Sequence, residues 1–106
     1  MSVIHLDEYD FEEVINASDV PVLVDFWATW CGPCMMQGPI LEDVSNTMGE
    51  KAVIAKLNVD ETPDIATSMG VASIPTMIIF NKGKESERIV GLTEADKIIE
   101  KIENIK

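Results

Sequence analysis

The spacing of hydrophobic positions changes several times along this chain, and each change marks an element. Val3 to Leu6 is a short apolar stretch that predicts a first strand. Asp7 stands as a capping residue ahead of Phe11, Val14 and Ile15, whose i, i+3, i+4 spacing predicts an amphipathic helix. Pro21 to Trp27 (Pro-Val-Leu-Val-Asp-Phe-Trp) is rich in β-branched and aromatic residues and predicts a buried strand. Met36, Ile40, Leu41, Val44 and Met48 then recur at helical spacing, so a long helix should run to about Met48. Ala52 to Val59 predicts the next strand, and Thr62 and Pro63 open a short helix that Gly70 closes. Thr76 to Phe80 is a continuous apolar strand; Asn81-Lys82-Gly83-Lys84 makes a turn, and Glu87 to Val90 pairs back as a hairpin. Thr93 caps a last helix whose Ile98, Ile99, Ile102 and Ile105 face the core. Strands alternating with helices, followed by a hairpin and a helix, predict an α/β fold, a three-layer sandwich. The pattern leaves the strand order open.

Composition narrows the class of protein. The 106 residues suit one domain spanning 1–106, and a hydrophobic content of 46% suits a globular chain. There are no repeats, no low-complexity stretches and no linker. No apolar run approaches the roughly 20 residues needed to span a membrane. The N-terminal residues lack the basic stretch and long apolar core of a secretory signal, so a cytoplasmic location is expected. The net charge of −11 includes Asp7, Glu8, Asp10, Glu12 and Glu13 within one short segment. Nucleic-acid binding needs basic patches, and none is present. Such acidity serves solubility, or steers the chain toward basic faces of partners.

The only two cysteines, Cys31 and Cys34, stand in the segment Trp30-Cys31-Gly32-Pro33-Cys34. Two thiols at this spacing can close into one disulfide and open again. So short a loop gains little of the entropy by which structural disulfides stabilise a fold, which points to redox chemistry. The pair falls where a predicted strand turns into a predicted helix, with Pro33 in a first turn that tolerates a missing N–H. Cys31 then faces unpaired N–H groups and the positive end of the helix dipole, which favours its thiolate, the reactive form. A metal site is the competing reading, but two thiolates and the single His5 fall short of the four ligands of structural zinc. Asp25 is a carboxylate in an otherwise apolar strand. Burial would raise its pKa and make it a proton acceptor near neutrality, whereas strict alternation would simply expose it. Lys56 poses the same question in the following strand, where it could also snorkel from an edge. Trp27 reads as packing beneath the site, and Pro39 as a structural kink in the long helix.

Phe26-Trp27-Ala28-Thr29-Trp30-Cys31-Gly32-Pro33-Cys34 resembles the active-site segment of the thioredoxin family. Asp25 lies six residues before Cys31, Pro39 falls within the following helix, and Asp60 follows the strand carrying Lys56. Ile74-Pro75-Thr76, Phe80-Asn81-Lys82-Gly83 and Val90-Gly91 complete the resemblance in order, over essentially the whole chain. It implies the thioredoxin fold: an α/β/α sandwich around a mixed five-stranded sheet with order 1-3-2-4-5. It implies a protein-disulfide reductase in which Cys31 attacks a client disulfide and Cys34 resolves the mixed disulfide. Asp25 would assist Cys34 and Lys56 would tune Asp25. Pro75 would be a cis-proline facing the sulfurs. Trp30, Gly32, Pro33, Ile74, Pro75, Gly91 and Leu92 would form an uncharged docking rim. No cofactor is implied beyond the redox-active disulfide Cys31–Cys34. The implied partners are a thioredoxin reductase and disulfide-containing clients, and nothing in the chain demands more than a monomer. A redox-gated or redox-independent protein-binding module is the alternative function.

The chain departs from the family pattern at several places. Met35 stands where Lys or Arg usually follows the second cysteine, and Gln37-Gly38 replaces a more apolar, better helix-forming pair before Pro39, which should loosen the kink. Leu92 replaces a smaller residue and should narrow substrate choice. Met35 and Met36 are oxidisable beside a redox site. Loss of the cation at position 35 should make the Cys31 thiol slightly less acidic than the family norm. Ultraviolet titration of the thiolate in the reduced chain checks this, and a strongly acidic Cys31 would contradict it.

Overall fold

A computed structural model describes residues 2–105. Its strands are β1 (Ile4–Leu6), β2 (Val22–Trp27), β3 (Val53–Asn58), β4 (Thr76–Asn81) and β5 (Lys84–Val90). Its helices are α1 (Phe11–Ala17), α2 (Gly32–Met48), α3 (Pro63–Ser68) and α4 (Ala95–Glu103). A short 3-10 turn, Gly49–Lys51, joins α2 to β3. The sheet order is β1-β3-β2-β4-β5. β1, β3 and β2 run parallel, while β4 lies antiparallel to both β2 and β5. The expected five-stranded mixed sheet is therefore present.

Strand alternation divides the core into two layers. Val22, Val24 and Phe26 of β2 pack with Phe11 and Ile15 of α1 and Ala66 of α3. Phe11 meets Phe26 and Phe80 edge-on, at centroid distances of 6.5 and 5.8 Å, an arrangement that suits the ring quadrupoles. Leu23 faces the other way, toward Leu41, Val44 and Met48 of α2 and Ile98 and Ile102 of α4. Asp25 alternates with Phe26 and so lies on the face that α2 covers.

Several local expectations need correction. Asp7 does not cap α1, which starts from Asp10. The Asp7 carboxylate instead accepts the N–H groups of Tyr9 and Asp10 at 2.8 and 3.0 Å, folding a turn ahead of the helix. Thr93 does not cap α4 either. Glu94 holds that position, and the Thr93 hydroxyl donates to the Gly91 carbonyl at 2.9 Å. Met36 is 61% exposed; the inward face of α2 is Cys34, Gln37, Leu41, Val44, Ser45 and Met48. Packing of Leu41, Val44 and Met48 into the core fixes the rotation of α2, and this turns Met36 outward and Gln37 inward. The helix continues through Pro39. β5 begins at Lys84, earlier than the apolar pattern suggests, because its first residues are exposed while its backbone still pairs with β4.

The β4–β5 turn uses positive φ at both Lys82 (53°) and Gly83 (82°), the signature of a type I′ hairpin. A Cβ on Gly83 would also run into the Asn16 side chain. Gly83→Ala should lower stability by about 1 kcal/mol or more, whereas Lys82→Asn should be neutral or stabilising by a few tenths, about 0.5 kcal/mol at most. Urea midpoints of the two variants check both signs.

Candidate active site

The site forms at the carboxyl edge of β2. The chain leaves the sheet after Trp27, turns through Ala28 to Trp30, and enters α2 at Gly32. Cys31 is the N-cap, extended at φ −93° and ψ 109°, with Pro33 in the first turn. Cys31 and Cys34 are joined in a disulfide with Cα atoms 5.2 Å apart. The Cys34 N–H donates to Cys31 Sγ at 3.2 Å, so the sulfur occupies the place a capping oxygen usually takes. The same geometry stabilises a thiolate there after reduction. Cys31 keeps 5% exposure and Cys34 none, so one sulfur is reachable and the other is covered.

Three backbone segments surround Cys31. The Ile74–Pro75 peptide is cis, and the Ile74 carbonyl oxygen lies 3.8 Å from Cys31 Sγ. The Gly91 N–H donates to the Pro75 carbonyl at 2.8 Å, bringing the Gly91–Leu92 segment alongside. Gly91 has φ +90°, which a residue with a Cβ adopts only with strain. Trp30 is 69% exposed, yet its ring is held by a hydrogen bond from Nε1 to Asp60 Oδ2 at 2.8 Å. Beyond the ring, a groove of about 460 Å³ runs past Val59, Pro63, Ala66, Val71 and Ile74. Gly32, Pro33 and Leu92 are exposed on the same rim, and Met35 joins them at 46% exposure. The rim side chains are thus apolar around a nearly buried sulfur, with the exposed Asp60 carboxylate beside the Trp30 ring.

Beneath it, Asp25 is fully buried, and neither carboxylate oxygen has a hydrogen-bond partner among the described residues. Burial pushes its pKa up to about 7, with the positive charge of Lys56 acting in the opposite direction. The strand register places Asp25 directly beside Lys56. The Lys56 ammonium lies 4.2 Å from the centre of the Trp27 ring, a cation–π contact. Lys56 is half-buried there, beneath Gly38, where an added Cβ would come within 3.7 Å of Nζ. Trp27 packs against Ala28, Cys31 and Cys34, as a residue beneath the site should. Asp25 and Lys56 therefore lie side by side under the disulfide helix, and the remaining rim residues gather above it.

A family model described as thioredoxin matches residues 2–104. A thioredoxin of Chlorobaculum thiosulfatiphilum is 51% identical over 94 residues, covering 89% of this chain and 87% of the relative. A thioredoxin of Rickettsia bellii is 43% identical over 100 residues, covering 94% and 95%. The crystal structure of chloroplastic thioredoxin z superposes with a TM-score of 0.90 at 33% identity, covering 97% of this chain and 93% of that one. The chain belongs to the thioredoxin family. It is a thiol–disulfide oxidoreductase, and the Cys31–Cys34 disulfide is its redox-active group.

Two residues that sequence reasoning assigned no place in this site prove to support it. Asp60 fixes the Trp30 ring, and Gln37 is fully buried one turn after Cys34. In the sequence Gln37 stood out only as part of Gln37-Gly38, a pair less apolar and less helix-forming than the family pattern has before Pro39. Among the described residues no group of three or more His, Cys, Asp or Glu side chains is placed to hold a metal ion. Among the described residues no helix is long and apolar enough to cross a membrane.

The Asp25 carboxyl makes stability depend on pH. Between its ordinary value of 3.8 and its folded value of about 7, the folded chain keeps a proton that the unfolded chain has released. Stability of the oxidised chain should therefore fall as pH rises through that window, by on the order of a few kcal/mol in total. Urea unfolding at a series of pH values measures the slope. Asp25→Asn should flatten it, and a slope unchanged in the variant would assign the effect to other groups.

Proposed function

We propose that the chain is a general protein-disulfide reductase in which Cys31 is the nucleophile and Cys34 the resolving thiol. The Cys31 thiolate attacks one sulfur of a client disulfide. A mixed disulfide forms and the client's other sulfur leaves as thiolate, to be protonated. Cys34 then loses its proton and attacks Cys31 Sγ. The client departs with two thiols, and its two electrons have come from the Cys31–Cys34 pair, which ends as the disulfide. The observation that carries this assignment is the difference between the sulfurs: Cys31 alone has exposure, and it caps α2. A buried Cys34 is protected from outside disulfides but stands one helical turn from the sulfur it must attack.

Asp25 takes the Cys34 proton, by way of an intervening water. A carboxyl with a pKa of about 7 and no hydrogen bond among the described residues is suited to exchanging a proton near neutrality. Lys56 favours the charged form and keeps that pKa from rising further. The client lies as an extended strand beside Pro75, against Ile74, Gly91 and Leu92 on one side and Trp30, Gly32 and Pro33 on the other. Rim side chains that are apolar accept many clients, because they impose no charge pattern of their own. The oxidised chain is re-reduced by a thioredoxin reductase, and it works as a monomeric single domain in the cytoplasm.

Catalytic amounts of the chain should accelerate reduction of insulin disulfides by excess dithiol. Cys31→Ser should abolish that turnover. Cys34→Ser should still attack once and accumulate a mixed disulfide with the client, visible by mass under non-reducing conditions. Turnover that survives Cys31→Ser would reject Cys31 as nucleophile. If the native chain gave no turnover yet still bound client protein after both cysteines were replaced by serine, the binding-module reading would replace the reductase.

A further inference from the structure

Gln37 is the one fully buried side-chain amide in α2, and it is not spent on the helix. Its Nε2 donates to the Thr93 carbonyl at 3.0 Å, and its Oε1 accepts the Thr93 N–H at 2.9 Å. The side-chain amide thus pairs with the Thr93 main chain through one donor and one acceptor, as a neighbouring strand would. An apolar side chain at this position would fill the same space and leave two peptide groups without those partners.

The clasp reaches the docking rim in two steps. Thr93 Oγ1 donates to the Gly91 carbonyl at 2.9 Å, and the Gly91 N–H donates to the Pro75 carbonyl at 2.8 Å. Leu92 therefore hangs between two anchored residues: Gly91 is tied to the cis-proline segment, and Thr93 is tied to the helix that carries Cys34. Its side chain is 42% exposed, while the backbone on either side is held. Without the Gln37 amide, the Gly91–Leu92 segment keeps its attachment to Pro75 but loses the two hydrogen bonds that tie Thr93 to α2.

We infer that Gln37 is a positioning residue for client specificity, which clasps the Gly91–Leu92 wall to the active-site helix so that an extended protein client meets a preformed edge beside Cys31. This rests on the reductase reading above and adds to it a residue that touches neither client nor sulfur. Preorganised walls matter most for large clients, which contact the rim on both sides of the reacting sulfur, and least for small disulfides, which need only reach it.

The test compares two substrates in one variant. Gln37→Met keeps an unbranched side chain of similar length and removes both hydrogen bonds. For insulin disulfides, KM should rise about five- to tenfold with kcat nearly unchanged, the pattern of lost binding common to ground and transition states. With hydroxyethyl disulfide the rate should change by less than about twofold, the scatter expected of a contact remote from the sulfur. An equal loss on both substrates would overturn the inference, since it would place the effect on the thiols. An unchanged KM for insulin would overturn it as well.

A second measurement needs no variant. In the native oxidised chain the Thr93 amide should exchange with solvent hydrogen at least about tenfold more slowly than an unbonded loop amide. Free exchange at Thr93 would remove the clasp and the inference with it, even if Gln37→Met failed to fold. Failure of the reductase reading is separate: it would show as no turnover by the native chain, with Thr93 still protected.

Discussion

β2 is paired on both edges and covered on both faces, and this single constraint organises the rest of the molecule. Val22 through Phe26 have no exposed surface at all. A strand in that position must carry apolar side chains on both sides, and this one does so except at Asp25. The carboxylate cannot reach water by alternation, because the face it points to is roofed by α2. Its raised pKa is therefore a consequence of topology. The same strand delivers the chain to the start of α2, so the buried acid and the helix N-terminus that holds Cys31 come from one continuous segment. Neither feature could be moved independently of the other.

The charges near Asp25 are arranged to moderate burial without cancelling it. A direct ion pair with Lys56 would hold the acid ionised at all working pH values and end its use as a proton acceptor. Instead the Lys56 ammonium rests over the Trp27 ring. Asp25 feels its field but receives no hydrogen bond from it among the described residues. Gly38 bears on this arrangement. A glycine costs α2 some helix propensity, about 1 kcal/mol relative to alanine, and its missing side chain leaves the roof above the ammonium open. The sequence alone suggested that Gly38 loosens the helix near Pro39. The structure gives it a local neighbour, Lys56, that the one-dimensional pattern could not supply.

What could be read beforehand followed from repeating patterns, and what could not followed from contacts between distant segments. The Cys31–Cys34 spacing, the strand before it and the helix after it were legible because each is a local signal. The buried strand β2 was legible as a continuous apolar run, and the inward face of α4 because its isoleucines recur at helical spacing. The caps were misread at Asp7 and Thr93 for a common reason. Both residues do bond nearby backbone, but in turns that precede the helix, and a short polar side chain looks alike in either use. Met36 and Gln37 were exchanged in importance because hydropathy placed the methionine inside. Core packing of Leu41, Val44 and Met48 puts Cys34 and Gln37 on the buried face of α2 as well, and the amide then finds its partner 56 residues away. No sequence period reports a contact of that range. The cis geometry at Pro75 is of the same kind, legible only through resemblance to a family.

The exposed rim presents a final physical problem: Trp30, Met35 and Leu92 are held in water, where they contribute nothing to the core. Apolar side chains left on mobile loops would collapse onto one another and close the site. Here each of the three segments that carry the rim is tied to something rigid. Trp30 is bonded to Asp60, which follows β3; Gly91 is bonded to Pro75, which precedes β4; Met35 belongs to α2 itself. The anchoring bonds at Trp30 and Gly91 are polar and join separate segments, so they hold the apolar surface apart without burying it. An open apolar face around a nearly buried sulfur is stable for that reason. It favours a partner that brings its own extended backbone and covers the rim, while the covered Cys34 waits one turn below.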